Sequence, residues 1–586
     1  MPNSKNNILE GWDSINWTLV QKNVRKLQKR IYSFSKVGDI QKVRTLQNLL
    51  ISSGQAKVLA VRRVTQDNQG KKMAGIDGVK SLNPKQRFKL AKSLDIPTKA
   101  KPLRRVWIPK PGKVEKRPLG IPTMKDRALQ ALFKMALEPE WEARFESNSY
   151  GFRPGRNCHD AIKAIQFSIQ KRAKYVLDAD IQKCFDKINH EALLDKIGMT
   201  GKFRTQIRYW LESGVLDDHV FSDTEEGTPQ GGVISPLLAN IALHGLENRI
   251  KDYVESVPDK YPSRGSVNIR DRRSAVSVIR YADDFVVMHY SKEIVLQCKE
   301  IVKEFLDELG LKLNPEKTRI THTLKLSPIE CVEFNAKAPG FNFLGFTIRQ
   351  YEAKYQSAHT GQGKPLGYKT IIVPSKEKIN KHQHNLRDLI GRSRSLSQDL
   401  LVEKLNKMGA GWARYFGKSD AYTEGILQKL DYLLYLKLRK WAKFVSKSNS
   451  RKATKFWRPV GNRNWVFGSE KGPKLFAYID YAFSINEYIK VRGEISPYDG
   501  NDIYWALRLG THPVMGIAQT KLLKAQKGRC IWCHLPFDED SILEVNHVIP
   551  KALGGKDFYT NLQLFHRHCH DAKTRTDGSL QASKNS

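Results

Sequence analysis

The stretch "VSVIRYADDFVVMHYS", residues 276–291, sets Asp283 and Asp284 between two short apolar runs that read as the strands of a hairpin. Asp is a common turn residue because its carboxylate bonds nearby amides. "VLDDHV" carries another such pair at Asp217 and Asp218, so the pair alone decides nothing. What decides is a partner carboxylate on a second strand. "KYVLDADIQKCFDKINH" (174–190) supplies one: an apolar run, Tyr175 to Leu177, leads into Asp178 and Asp180 and then into helix-like spacing. If the two strands are neighbours in one sheet, Asp180 faces the turn and three carboxylates surround a small volume. Like charges that close repel unless a cation lies between them. Hard oxygen ligands with room for water and substrate phosphates suit magnesium, and a pair of such ions can clamp both oxygens of an in-line phosphoryl displacement. The expected chemistry is nucleotidyl transfer.

"YADD" preceded by "DADIQKCFDKI" resembles the palm signature of reverse transcriptases, and the flanks narrow the resemblance to group II intron maturases. "RRVWIPKPGKVEKRPLGIPTMKDRALQ" (104–130) resembles their fingers, "SYGFRPGRNCHDAI" (149–162) a further block, and "GTPQGGVISPLLANI" (227–241) the motif beside the nascent pair. "LKLNPEKTRI", "FNFLGFTI" and "GWARYF" follow in the family's order. The resemblance implies a multidomain α+β protein: a right-hand polymerase with an antiparallel palm sheet, then a helical thumb and maturase domain. It places two magnesium ions on Asp180, Asp283 and Asp284, with Ile181 in the same set. It assigns triphosphate binding to Arg117 and Lys110, a sugar gate to Phe185 and a nucleotide contact to Gln230, while Gly231 and Gly232 permit close backbone approach. The domains expected are an RNA-binding extension (1–95), fingers and palm (96–350), thumb and maturase (351–450), a DNA-binding region with linker (451–525) and a nuclease (526–586).

Length and charge agree. A chain of 586 residues suggests three to five domains at roughly 100 to 200 residues each. Its 99 Lys and Arg against 60 Asp and Glu give +39, which points to a polyanionic partner. No 18-residue apolar span is present, and the N-terminal "MPNSKNNILEGWDS" has neither an apolar core nor a small-residue cleavage site. The expectation is a protein that is not secreted, working in a bacterial cytoplasm near the nucleoid or in an organelle, with dNTPs, intron RNA and target DNA as partners and no membrane. In the first segment Val24, Leu27, Ile31 and Phe34 follow helical spacing, with Lys22, Arg25, Lys26, Lys29 and Arg30 on other faces. Those cations suit a solvated face or an RNA grip; the resemblance favours RNA. Further on, Ile426, Leu430, Leu433, Leu434, Lys437 and Trp441 predict one buried helical stripe. "RKATKFWRPVGNRNWVFG" (451–468) mixes cations with aromatics, a composition suited to base stacking or to a small core.

Four of the seven cysteines, Cys158, Cys184, Cys298 and Cys331, stand alone and read as small buried hydrophobes. The other three crowd the end. Cys530-x-x-Cys533 followed by His566-x-x-Cys569 gives two ligand pairs that fold readily around tetrahedral zinc. The surrounding stretch resembles the HNH endonuclease (ββα-metal) module, which implies His547 as general base, Asn561 orienting it, and His570 with Asn546 holding one catalytic divalent ion. Many relatives in the resembled family carry Asp or His where this chain has Asn546, a weaker ligand. A high metal demand, relieved by Asn546→Asp, is therefore expected. Two other readings stay open: a splicing factor with a vestigial polymerase, and a stand-alone defence-type reverse transcriptase.

Overall fold

The structure is a computed structural model that describes residues 11–577 except 110–115, 218–219, 223–226, 228–230, 259, 262–264, 267, 335, 337, 354–356, 360–362, 448–451 and 513–514. Its centre is a four-stranded antiparallel sheet in the order Arg319–His322, Tyr175–Asp180, Asp284–His289, Ser277–Tyr281. The middle strands are apolar on both faces: Val176, Leu177, Val286, Val287 and Met288 are all fully buried. Helix Cys158–Ile169 covers one face and helix Lys292–Asp307 the other. The two acidic motifs are thereby brought together over about a hundred residues of intervening chain, as the sequence required.

A second sheet pairs strands Leu103–Pro109 and Lys116–Ile121 as a hairpin and joins them to Val215–Asp217 and Val220–Ser222. N-terminal to it, helices Trp17–Lys36, Ile40–Ser52 and Gly54–Arg62 pack on helix Met124–Glu142. Each of the three starts with a side-chain cap, from Asn16, Asp39 and Ser53. The first buries Val24 and Ile31, while Leu27 and Phe34 are only partly covered. Its cations divide in two. Arg25 and Lys29 bind Asp502 at 3.0 and 2.6 Å, and Lys22, Lys26 and Arg30 remain exposed. Structure therefore claims two of the five, and three are left for a ligand.

A three-stranded sheet (Phe341–Phe343, Phe346–Glu352, Tyr368–Pro374) leads into helices Lys376–Arg392, Gln398–Phe416 and Ile426–Ser446. The last buries Leu427, Leu430, Leu434, Leu438 and Trp441, a stripe rotated from the predicted one. Ile426 and Leu433 fall to its margin, and Lys437 bonds Gln383. The reason is the helix period: 427, 430, 434, 438 and 441 keep the 3–4 spacing that faces one partner surface.

Residues 452–481 and 484–511 behave differently from each other. The first group folds back on the helices just described: Phe456, Phe467 and Tyr478 share a core with Leu430 and Trp441. The second packs on the central sheet's helix through Ile485, Tyr488, Val491 and Trp505. An ion pair pins it. Arg508 Nη2 donates to both oxygens of Asp160 at 2.7 and 2.8 Å, with both side chains almost wholly buried. Asp160 also accepts from the Val491 amide and, as a capping-box residue, from that of Asn157. Arg153 binds buried Glu142, and Arg156 donates to the carbonyls of Ser147, Gly493 and Ile495. The "SYGFRPGRNCHDAI" block is thus a clamp that ties the chain's end to its centre.

The last unit is a small antiparallel hairpin, Leu543–His547 with Leu562–His566, followed by helix Arg567–Thr576. Leu522, Leu523, Phe537, Leu564 and Phe565 form its own core.

Arg508→Met should destabilise the chain by roughly 3 to 5 kcal/mol, because it leaves the Asp160 carboxylate buried without its cation. Arg463→Met, which breaks an exposed pair with Asp480, should cost no more than about 1 kcal/mol. Urea denaturation of the two variants side by side measures the difference, and equal midpoints would refute the clamp.

Candidate active site and metal centre

The register of the central sheet sets Asp180 directly opposite Asp284. Asp283 lies in the two-residue turn between Ser277–Tyr281 and Asp284–His289, next to Ala282, whose φ of 59° is left-handed. A non-glycine there is strained, and such strain persists only where surroundings impose it. Burial, then the charges of Asp283 and Asp180, push the Asp284 acid up to about 7. Burial raises Asp283 as well, with the Asp180 charge adding to it. Asp180 and Asp284 face each other across the strand pair and Asp283 adds its charge from the turn; carboxylates crowded in that way are the arrangement that a divalent ion relieves, and every donor is a hard oxygen. The residues present therefore fit magnesium. The side chain of Ile181 has no ligand atom, so only its carbonyl could join them. Asp178, on the same strand face, is taken by Arg319 at 3.0 Å.

Five residues around this site lie within the quoted blocks, but their roles were not apparent from them. Lys317 Nζ donates to Asp180 Oδ2 at 2.8 Å, and Asn314 Nδ2 to the same oxygen at 3.2 Å. Behind the turn, Arg280 is buried and donates from Nη1 to the Ala282 carbonyl at 3.3 Å and to Asn240 Oδ1 at 2.9 Å. Asn240 Nδ2 in turn donates to the Gly151 carbonyl at 2.8 Å. A Cβ on Gly151 would come within 2.3 Å of the Ala282 nitrogen, so only glycine lets that loop press on the turn. Arg280, Asn240 and Gly151 are the surroundings that hold Ala282.

On the substrate side, Arg117 lies exposed on its strand, close enough for its charge to lower Asp283. Phe185 is half-buried and meets Phe152 edge-on at 6.3 Å. Gly231 adopts φ of 115°, and a Cβ there would meet the Gly120 carbonyl at 2.8 Å; its close approach is to the neighbouring hairpin. Lys110 and Gln230 lie outside the described residues.

At the far end, one donor atom each from Cys530, Cys533, His566 and Cys569 lie within 4.8 Å of one another. Three of the four residues are buried, and Cys533 Sγ is 3.4 Å from His566 Nδ1. Three thiols and an imidazole converging in that way are a tetrahedral donor set that suits zinc. His547, at the end of its strand, bonds Asp557 Oδ1 through Nε2 at 2.7 Å. The side chain of Asn561 reaches the backbone instead of that ring: it accepts from the Ile549 amide and donates to the Ile549 and Lys556 carbonyls. It fixes the loop that follows the histidine, and Asp557 is the ring's own partner. Asn546 is buried with its Oδ1 accepting from Lys573 Nζ at 2.8 Å, and Lys573 also donates to the His547 and Val548 carbonyls. An ammonium thus already uses the amide oxygen that was expected to ligate an ion. His570 is half-buried one turn before Lys573, with Asp571 at 3.9 Å.

Four family models match the chain in this order: "N-terminal domain of reverse transcriptase" over residues 12–94, "Reverse transcriptase (RNA-dependent DNA polymerase)" over 108–348, "Group II intron, maturase-specific domain" over 379–458 and "HNH endonuclease" over 530–576. Among curated proteins, Protein YkfC of Escherichia coli (strain K12) is 33% identical over 341 residues, which cover 53% of this chain and 85% of that one. Group II intron-encoded protein LtrA of Lactococcus lactis subsp. cremoris is 26% identical over 542 residues, covering 80% and 85%. An uncharacterized 91 kDa protein in the cob intron of Schizosaccharomyces pombe is 31% identical over 265 residues, covering 38% and 32%.

Asn240→Ala should leave the Arg280 guanidinium and the Gly151 carbonyl each short of a partner, at about 1 to 3 kcal/mol. The turn loosens while the substrate pocket stays intact. Steady-state primer extension should show kcat reduced about tenfold or more with the KM for dNTP little changed. A kcat equal to wild type would refute the positioning role.

Proposed function

We propose a division of labour within a chain that belongs to the group II intron-encoded proteins, reverse transcriptases that carry a maturase domain and, here, an HNH endonuclease. The chain copies RNA into DNA, binds its intron RNA to promote splicing, and nicks target DNA to prime the copying. The observation that carries the polymerase reading is the register that opposes Asp180 and Asp284 with Asp283 in the adjoining turn. A splicing factor with a vestigial polymerase has no need of that constellation. A stand-alone defence enzyme leaves the maturase and nuclease matches unexplained.

In this reading residues 96–350 are fingers and palm, and Asp180, Asp283, Asp284 and the Ile181 carbonyl hold two magnesium ions. Bound there, magnesium supplies the Lewis acidity that activates the primer hydroxyl and neutralises the triphosphate. Arg117, with Lys110, draws the triphosphate toward the carboxylates by charge. Phe185 closes the space beneath the sugar, where a 2′-hydroxyl has no room, and Gln230 bonds the incoming nucleotide. Residues 351–450 act as thumb and maturase. The exposed Lys22, Lys26 and Arg30 of the first segment contact intron RNA.

In the nuclease, Cys530, Cys533, His566 and Cys569 hold a structural zinc. His547 takes the proton from the attacking water, with Asp557 fixing its ring. A divalent ion at His570 would steady the leaving oxygen. No described helix is long and apolar enough to cross a membrane, and a nucleoid or organellar setting follows from the partners proposed.

Asp283→Ala should reduce primer extension on an RNA template to below about a tenth of wild type and leave intron RNA binding nearly intact. His547→Ala should stop nicking of a labelled DNA target and leave extension from a supplied primer unchanged. Extension by the first variant near the wild-type rate would overturn the palm assignment. Nicking by the second would overturn the general base.

The Lys573 contact sharpens the metal expectation. Asn546→Asp alone creates an ion pair with Lys573, so it should lower the magnesium needed for half-maximal nicking less than Asn546→Asp combined with Lys573→Met. A magnesium titration of nicking compares them; equal demand in both would show that Lys573 does not compete.

A further inference from the structure

The hairpin Trp457–Val460 with Arg463–Phe467 carries an aromatic stack that the polymerase and nuclease sites do not use. Trp457 pairs with Phe467, which sets Trp465 diagonally across from it on the same face. The two indoles stack at 5.8 Å between centroids and 11° between planes. Trp457 is the inner member, with the rings of Tyr435 and Phe467 against it at 5.8 and 5.1 Å. Trp465 is the outer member and is 52% exposed. One of its faces lies on Trp457, and about half of the residue's surface is open to solvent. A large aromatic left open at the end of a rigid stack marks an interaction surface.

The packing says which partner that surface serves. Phe456 and Phe467 meet Trp441 at 5.4 and 5.8 Å, inside the core built by the helices of the maturase-specific match. The nuclease has a separate core. The hairpin is therefore an outgrowth of the maturase domain. Exposed Arg439, Lys440 and Lys455 on the same unit add the positive charge that an RNA backbone requires. Side chains cannot stack on the base faces of a paired helix, whereas unpaired bases in loops and bulges offer both faces to an aromatic ring.

We propose that Trp465 is a stacking platform for an unpaired base of the intron RNA, with Trp457 as its fixed support. The proposal rests on the maturase reading and narrows it to one contact. It also moves residues 452–481 from the DNA-binding region expected at 451–525 into the RNA-binding unit.

The test is equilibrium binding of the full-length chain to a transcript of its parent intron across a salt series, with an unrelated transcript of equal length and single-stranded target DNA as comparisons. Trp465→Ala should weaken parent-transcript binding by about 5- to 150-fold. Trp465→Phe should stay within about threefold of wild type, since a ring remains. The slope of log affinity against log salt should be unchanged, because no phosphate contact is lost. Both variants are read with a melting curve, so that a folding defect is visible as such. Wild-type affinity in Trp465→Ala would overturn the platform, and so would a loss confined to single-stranded DNA, or self-association that disappears in the variant while RNA binding holds. Wild type binding the parent transcript no more tightly than the unrelated one would overturn the maturase reading first, and the platform with it.

Discussion

The opposition of Asp180 and Asp284 across one pair of strands, with Asp283 beside them, is the constraint on which the rest of the central unit depends. Strand pairing fixes the spacing of the carboxylates, and burial keeps water from screening them. The consequence is visible in Asp284, whose acid is pushed up to about 7. A protein that needed only a turn would not assemble this repulsion. A left-handed Ala282, a buried Arg280 and a glycine that admits the adjacent loop all serve to hold it.

Around that centre, charge does two kinds of work. Some cations are drawn inward to fasten the chain's far ends together: Arg508 to Asp160, Arg25 and Lys29 to Asp502, and Arg63 to Asp540 in the nuclease. Others stay at the surface with no such duty, available to the polyanionic partner to which a net charge of +39 points. Composition shows the sum of these two groups. Only the packing separates them.

That separation also marks how far the sequence could be read. The approach of Asp180 to the Asp283–Asp284 turn and the convergence of Cys530, Cys533, His566 and Cys569 were legible, because each combines a residue type with a spacing that few other arrangements share. The contacts that support them were not. Asn240 reaches Arg280 over 40 residues and Gly151 over 89, Lys573 reaches Asn546 over 27, and none of these pairs leaves a periodic or spaced signal. Asn561 looked like the partner of His547, yet Asp557 takes that ring, since a carboxylate ten residues on in a tight loop lies nearer than the motif suggests. The buried stripe of helix Ile426–Ser446 was displaced because Leu433 and Leu434 both fit a helical period, and only the partner surface chooses between them. Residues 451–525 read as one basic, aromatic region, but their apolar side chains divide among three cores.

The most direct test of the central claim is a count of divalent ions at the three carboxylates. Manganese binding can be followed by electron paramagnetic resonance on the His570→Ala chain, held with a chain-terminated primer, an RNA template and the next dNTP. The account predicts two ions per chain, with at least one lost in an added Asp284→Asn substitution. An unchanged count in that variant would contradict it.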